Sequence, residues 1–171
     1  MSTQINYQGN MTDFKSLFYD YCKVREGYRN VPYKDVKGLD TVGIGHLIRT
    51  VEPFAITDGV ALTDAQVEQL FDNDFDTLNV GPYTDEIANA GYSYNMMLAV
   101  GHFIWGHGAG QYSKSQLRSG LLDGSLTGDN IESYLTANWD IHSPSNQKVN
   151  TEDFTVGFDA TPWTSPFGLR L

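Results

Sequence analysis

Cysteine is almost absent from this chain, and its scarcity excludes whole classes of chemistry. Cys22 is the only cysteine in 171 residues, so an intrachain disulfide is impossible and a cysteine-based metal centre has no set of donors. Its place in an apolar stretch suits a small buried side chain rather than a reactive thiol. Long apolar runs are also missing, and nothing approaches the roughly 20 residues that a membrane-spanning helix needs. Met1–Asn10 are polar, with neither a basic segment nor an apolar core, so no secretory signal is expected there. Basic residues are scarce: eleven Lys and Arg stand against twenty-one Asp and Glu, for a net charge of −10. That balance disfavours long-range attraction to nucleic acid or to an anionic surface.

What is present is enough for one folded unit. The chain is long enough to bury a real core, and at 40% hydrophobic and 19% charged residues its composition is that of an ordinary globular protein. Residues 1–11 read as a polar arm. Thr12 offers a helix N-cap, and Phe14, Leu17, Phe18, Tyr21 and Val24 follow at helical spacing. Gly27 suits the left-handed cap that would close this helix near Glu26. From Val31 to Ile48 the pattern changes. Pro32, Gly38, Gly43 and Gly45 exclude a helix, Val31, Tyr33, Val36, Val42 and Ile44 suit short strands, and Lys37-Gly38 is a plausible hairpin turn. Thr63 with Gln66 three residues later makes a capping box, opening a helix with an apolar stripe of Val67, Leu70, Phe71, Phe75 and Leu78. Asp74 falls inside that stripe, where a carboxylate is costly without a partner. Tyr92–Trp105 is almost continuously apolar and predicts a buried central helix. Shorter helices are predicted over Ser115–Leu122 and Asn130–Trp139, followed after Pro144 by a polar stretch and an irregular aromatic tail with Phe154, Phe158, Trp163 and Phe167.

Glu26 stands at the expected C-terminus of the first helix, where the macrodipole presents partial negative charge. That setting favours the protonated carboxyl that a general acid needs, while Arg25 and Arg29 act in the opposite sense. Asp35 lies nine residues on, in a hairpin able to fold back over the helix end, and Thr41 on the return strand supplies a hydroxyl that could share a water with it. Two carboxylates across a cleft are the equipment of glycoside hydrolysis, although an acidic chain offers many such pairs by chance.

The surrounding residues narrow this choice. Arg25-Glu26-Gly27-Tyr28-Arg29, Tyr33-Lys34-Asp35, Gly38, and Thr41-Val42-Gly43-Ile44-Gly45-His46-Leu47 closely resemble the active-site segment of the T4-type phage lysozymes, glycoside hydrolase family 24. The Glu-to-Asp, Asp-to-Thr and Thr-to-His intervals of nine, six and five agree as well. More faintly, Leu62-Thr63 through Asp74 and Ser115-Gln116-Leu117 through Gly124 resemble later segments of the same family.

The resemblance implies an α+β, lysozyme-like fold, with a small antiparallel sheet lobe over about 27–60 beside a mainly helical lobe over about 61–171 plus the first helix. It implies a muramidase acting on bacterial peptidoglycan by an inverting mechanism. Glu26 then matches the general acid, and Asp35 and Thr41 the pair that holds the attacking water. His46 and Asp74 match a structural ion pair, giving the carboxylate in the apolar stripe its partner. Tyr33, Gly45 and Tyr28 are candidate substrate-binding residues, although core packing suits the two tyrosines equally well. No metal or cofactor is implied, and neither nucleic-acid binding nor membrane insertion. The G-I-G of Gly43–Gly45 lacks the third glycine of a dinucleotide loop. A monomer is expected, awaiting holin-dependent release from the host cytoplasm; the alternatives are a lysozyme carried on a phage structural protein in the virion, or a non-catalytic wall-binding module on the same fold. Relatives carry several basic residues near the end of the last core helix, whereas Ser143–Asp153 holds only Lys148 together with Glu152 and Asp153. The roles of His102 and His107, beside a glycine-rich turn, stay open.

Overall fold

A computed structural model describes residues 11–138, 144–159, 163 and 165–167. The expected N-terminal arm lies outside the described residues except for Met11, which opens helix α1 (Met11–Glu26). Phe14, Leu17, Phe18, Tyr21 and Cys22 recur along α1 at helical spacing and are all buried. Val24, expected on the same face, is instead half-exposed. The helix stops where Gly27 adopts φ +81°, returning its N–H to the Lys23 carbonyl at 3.1 Å. A side chain with a Cβ is disfavoured in that conformation.

The chain then forms a three-stranded antiparallel sheet in the order β1 (Arg29–Lys34), β2 (Asp40–Gly43), β3 (His46–Leu47). Tyr33 pairs with Thr41 and Lys34 with Asp40, and an irregularity falls between Arg29 and Tyr33. Pro32, which has no N–H to give to a ladder, lies inside that interval. The β1–β2 turn is held from within: Asp35 Oδ1 accepts the backbone N–H groups of Lys37 and Leu39, each at 2.8 Å. Val36, expected in a strand, sits in this turn and is fully exposed.

Helix α2 (Asp64–Thr77) starts with the predicted capping box. The Gln66 N–H donates to Thr63 Oγ1 at 3.1 Å, and the Thr63 N–H donates to Gln66 Oε1 at 2.9 Å. Helix α3 (Val80–Asn89) has no counterpart in the sequence reading. Its Gly81-Pro82 looks like a breaker, but Pro82 falls in the first turn, where a missing N–H leaves no intrahelical bond unmade. Helix α4 (Tyr94–His107) is the central helix, buried continuously from Tyr94 to Ile104. Helices α5 (Ala109–Lys114), α6 (Gln116–Asp123) and α7 (Ile131–Asn138) follow. Ser115 caps α6 by accepting the Arg118 N–H at 3.1 Å.

The largest departure from expectation is helix α8 (Pro144–Phe158), where an irregular tail was expected. Too few apolar residues recur along it to draw an amphipathic stripe. What anchors it is tertiary: Phe154 and Asp153 are both buried, and the helix packs against α4 and α7. An α+β fold results, with one apolar cluster drawing on α1, α2, α4, Val42 of β2 and Ile44 of the β2–β3 turn. Among the described residues, no helix is long and apolar enough to cross a membrane.

Candidate functional site

Between the end of α1 and the sheet lies a cleft of about 510 Å³, lined by Glu26, Arg29, Tyr33, Lys34, Asp35, Val36, Thr41, Gly45 and Leu47. Glu26, Asp35 and Thr41 therefore share one cavity. Glu26 enters as the last residue of α1, its side chain 35% exposed. Asp35 enters from the β1–β2 turn with Oδ1 committed to the turn amides. Thr41 is buried on β2 and donates its hydroxyl to the Leu39 carbonyl at 3.0 Å, so that its oxygen keeps lone pairs for a further donor. Gly45 adopts φ +68° in the β2–β3 connection, and a Cβ there would stand 3.8 Å from both Glu26 Oε2 and Trp105 Nε1. The backbone thus passes close over the Glu26 carboxyl.

On its inner side Glu26 has a partner that the sequence reading left unassigned. His102, on α4, lies with Nε2 2.8 Å from Glu26 Oε1 and Nδ1 2.6 Å from Asp153 Oδ2. Asp153 is 1% exposed and is heavily coordinated: Tyr21 donates its hydroxyl to Oδ1, and Arg25 Nη2 lies 2.9 Å from the same oxygen. Burial works against charge on His102, but hydrogen bonds to Asp153 and Glu26, and the charges of both, outweigh it and push its pKa up to about 9. Burial and the Asp153 charge push the Tyr21 phenol up as well, keeping it a donor.

A second histidine is bracketed in the same way at the other side of the sheet. His46 Nδ1 lies 2.7 Å from Asp74 Oδ2, and Nε2 lies 2.9 Å from Glu52 Oε1, which also accepts the Arg49 N–H at 2.7 Å. Of the candidate substrate-binding residues, Tyr33 and Gly45 line the cleft. Tyr28 does not join them among the described residues; its hydroxyl donates to Asp64 at the start of α2, and Lys23 Nζ stands 5.1 Å over its ring. Arg29, expected to act on Glu26, lies over the Tyr33 ring at 4.5 Å, and Arg25 is engaged with Asp153 and Glu152. Among the described residues, no group of three or more His, Cys, Asp or Glu could hold a metal ion.

The sequence reading missed His102, Asp153 and Glu52 as parts of these networks. A signal was available for the first. His102 is a titratable residue inside the continuous apolar run of α4, the same anomaly that Asp74 shows in α2. Asp153 carried no such mark, because its helix has no apolar stripe to interrupt.

Comparison with known proteins bears on the family and the fold. The phage lysozyme family profile matches residues 23–149. A search of curated proteins finds no match. Among solved structures, a mutant of P22 lysozyme aligns at TM-score 0.56 and 19% identity, covering 81% of this chain and 95% of that one. An endolysin from the Escherichia coli O157:H7 phage FAHEc1 aligns at TM-score 0.65 and 16% identity, covering 92% and 98%. The muramidase domain of SpmX from Asticaccaulis excentricus aligns at TM-score 0.54 and 16% identity, covering 85% and 96%. These likenesses concern the fold, while the profile match spans most of the chain and includes all three cleft residues. The chain belongs to the phage lysozyme family.

Proposed function

We propose that this protein is a muramidase that hydrolyses the β-1,4 bond between N-acetylmuramic acid and N-acetylglucosamine in bacterial peptidoglycan. The observation that carries the reading is the convergence of Glu26, Asp35 and Thr41 on one cleft from the end of α1, the β1–β2 turn and β2. Glu26 is the general acid, giving its proton to the glycosidic oxygen as the bond to the anomeric carbon breaks. Asp35 is the general base. Its Oδ1 is fixed by two backbone amides, so Oδ2 and the Thr41 hydroxyl oxygen together hold a water for attack on the opposite face of the sugar. Such a water-mediated displacement inverts the anomeric centre, and inverting pairs stand roughly 6.5–9.5 Å apart to leave room for it. Tyr33 and Gly45 form part of the sugar-facing wall. The chain is made in a phage-infected host cell and acts on the wall after release, for host lysis; among its fold neighbours one is described as an endolysin and another as a muramidase domain.

The test is turbidity loss of outer-membrane-permeabilised Gram-negative cells by the wild type and by Glu26→Gln, followed by analysis of the digest. Clearing by the wild type alone, with new reducing ends of α configuration, is expected. Equal clearing by both proteins sinks the assignment of Glu26, and anhydro sugar products sink hydrolysis.

A further inference from the structure

We propose that His102, anchored by Asp153, is the positioning residue that stores the proton of Glu26: the single exchangeable proton shared by this pair at neutral pH is the one delivered to the leaving glycosidic oxygen. The proposal rests on the reading of Glu26 as general acid. Its ground is a chain of contacts running inward from the cleft. Glu26 Oε1 meets His102 Nε2 at 2.8 Å, and His102 Nδ1 meets Asp153 Oδ2 at 2.6 Å. Behind Asp153 stand the Tyr21 hydroxyl and the Arg25 guanidinium.

Each member fixes the next. Asp153 takes two donors on Oδ1 and, being an ionised acceptor, requires that Nδ1 of His102 carry its hydrogen. That leaves Nε2 as the ring atom free to exchange, and it faces Glu26. The groups facing this imidazole are, from α1, Glu26, the Tyr21 ring (centroids 6.0 Å apart, nearly perpendicular) and, through Asp153, Arg25; from α8 they are Asp153 and, through Arg25, Glu152, while the buried Cys22 is near Glu26 and Asp153. Two carboxylates in direct contact outweigh the rest, and the imidazolium persists to about pH 9.

A general acid whose only partner were solvent would lose its proton wherever its own carboxyl titrates. Here the proton has a second, adjacent seat. In the resting pair it is on His102 Nε2 and points at Glu26 Oε1. As substrate excludes water, the proton crosses to Glu26, leaving a neutral imidazole with Nδ1–H on Asp153. The carboxylic acid then gives that proton to the glycosidic oxygen while the bond from this oxygen to the anomeric carbon breaks, its electron pair staying with the oxygen. The water oxygen bonds to the anomeric carbon and its proton passes to Asp35. Asp35 afterwards loses a proton to solvent and His102 regains one, so the cycle consumes one water and no net proton.

The experiment measures initial rates on soluble, uncross-linked glycan strands between pH 4.5 and 10 for the wild type, His102→Gln and Asp153→Asn. The alkaline limb of the wild-type profile is expected near pH 9. In both variants it moves down by at least one unit, so activity lost at pH 8.5 exceeds that lost at pH 5.5 by about threefold or more. Profiles of unchanged shape and uniformly lower height overturn the proposal. Since a substitution at either buried site can disturb folding, ¹⁵N-histidine NMR of the intact wild type and of Glu26→Gln supplies an independent reading. Both ring nitrogens of His102 are expected to stay protonated at pH 7.5 in the wild type, with a lower titration midpoint in Glu26→Gln. A neutral His102 at pH 7.5, or one midpoint in both proteins, also overturns it. An active Glu26→Gln would instead remove the general-acid reading itself, a failure distinct from that of the His102 store.

Discussion

His46 and Asp74 are 28 positions apart in the chain and 2.7 Å apart in space, with Glu52 closing on the other ring nitrogen at 2.9 Å. The imidazole ties β3 to α2 and to the segment after the sheet. Burial opposes protonation of His46, but its hydrogen bonds to Asp74 and Glu52 and their charges prevail, and its pKa is raised. A folded-state pKa above the unfolded value of about 6.5 stabilises the fold fully below that pH, and the contribution is lost as pH rises through the folded value. Asp74→Asn is therefore expected to cost roughly 3 kcal/mol at pH 6, and clearly less at pH 9. Urea denaturation of both proteins at the two pH values checks it. His102 is common to both proteins and cancels in the difference, so an equal cost at pH 6 and pH 9 would refute the linkage.

Asp35 has two separable duties, one in the turn and one in the cleft. Its Oδ1 accepts two backbone amides, a duty that the carbonyl oxygen of asparagine can also perform. Asp35→Asn should change stability by less than about 1 kcal/mol while lowering activity by roughly 10²–10⁴-fold, the usual loss when a general base is removed. Asp35→Ala loses the turn bonds as well and should be less stable than Asp35→Asn. Thermal denaturation alongside initial rates separates the two duties. An Asp35→Asn protein that folds normally and keeps its activity would show that Asp35 serves the turn alone.

How far these sites could be read from the sequence depends on whether a residue breaks a local pattern. Thr63 and Gln66 announced α2 because a capping box is a contact within one turn. Asp74 announced a partner because it interrupted an apolar stripe. Glu26, Asp35 and Thr41 could be nominated because their spacing matches a known segment, and β1, β2 and the end of α1 bring all three to one cleft. Helix α3 was hidden by Pro82, a residue that reads as a breaker everywhere except in a first turn. Helix α8 was hidden because its stability comes from Phe154 and Asp153 meeting α1 and α4, which are distant in sequence. The same distance concealed Asp153 as the anchor of His102, 51 positions away. The contact that holds Tyr28 was out of reach for a related reason: Asp64, which accepts its hydroxyl, is 36 residues on.

Gly45 tests how closely the sheet approaches the acid. Its φ of +68° is open to glycine, and an L-residue there costs roughly 1–2 kcal/mol. An alanine methyl would stand at ordinary contact distance, 3.8 Å, from Glu26 Oε2 and Trp105 Nε1. The stability cost of Gly45→Ala should therefore come from the backbone. Its larger effect falls on activity, because the methyl occupies the space over the carboxyl that a glycosidic oxygen must enter. A rise in KM together with a fall in kcat is the expected signature on soluble glycan strands, and wild-type kinetics in this variant would mean that the substrate passes elsewhere.

Phe154 connects the stability of α8 to the cleft. It is fully buried and meets Phe103 of α4 at 6.1 Å and 70°, an edge-on packing. The residue before it is Asp153, the acceptor behind His102. Truncation by Phe154→Ala should cost about 3–5 kcal/mol from lost burial and the cavity left behind. Phe154→Leu keeps most of the volume and should cost about half as much or less. If α8 holds Asp153 in register, amide exchange along α8 accelerates in Phe154→Ala, and the alkaline limb of activity moves to lower pH with it, although neither His102 nor Glu26 has been altered. Phe154→Leu should keep the limb near its wild-type position. A destabilised Phe154→Ala whose remaining folded fraction shows the wild-type pH profile would mean that Tyr21 and Arg25, from the α1 side, are enough to hold Asp153 in place.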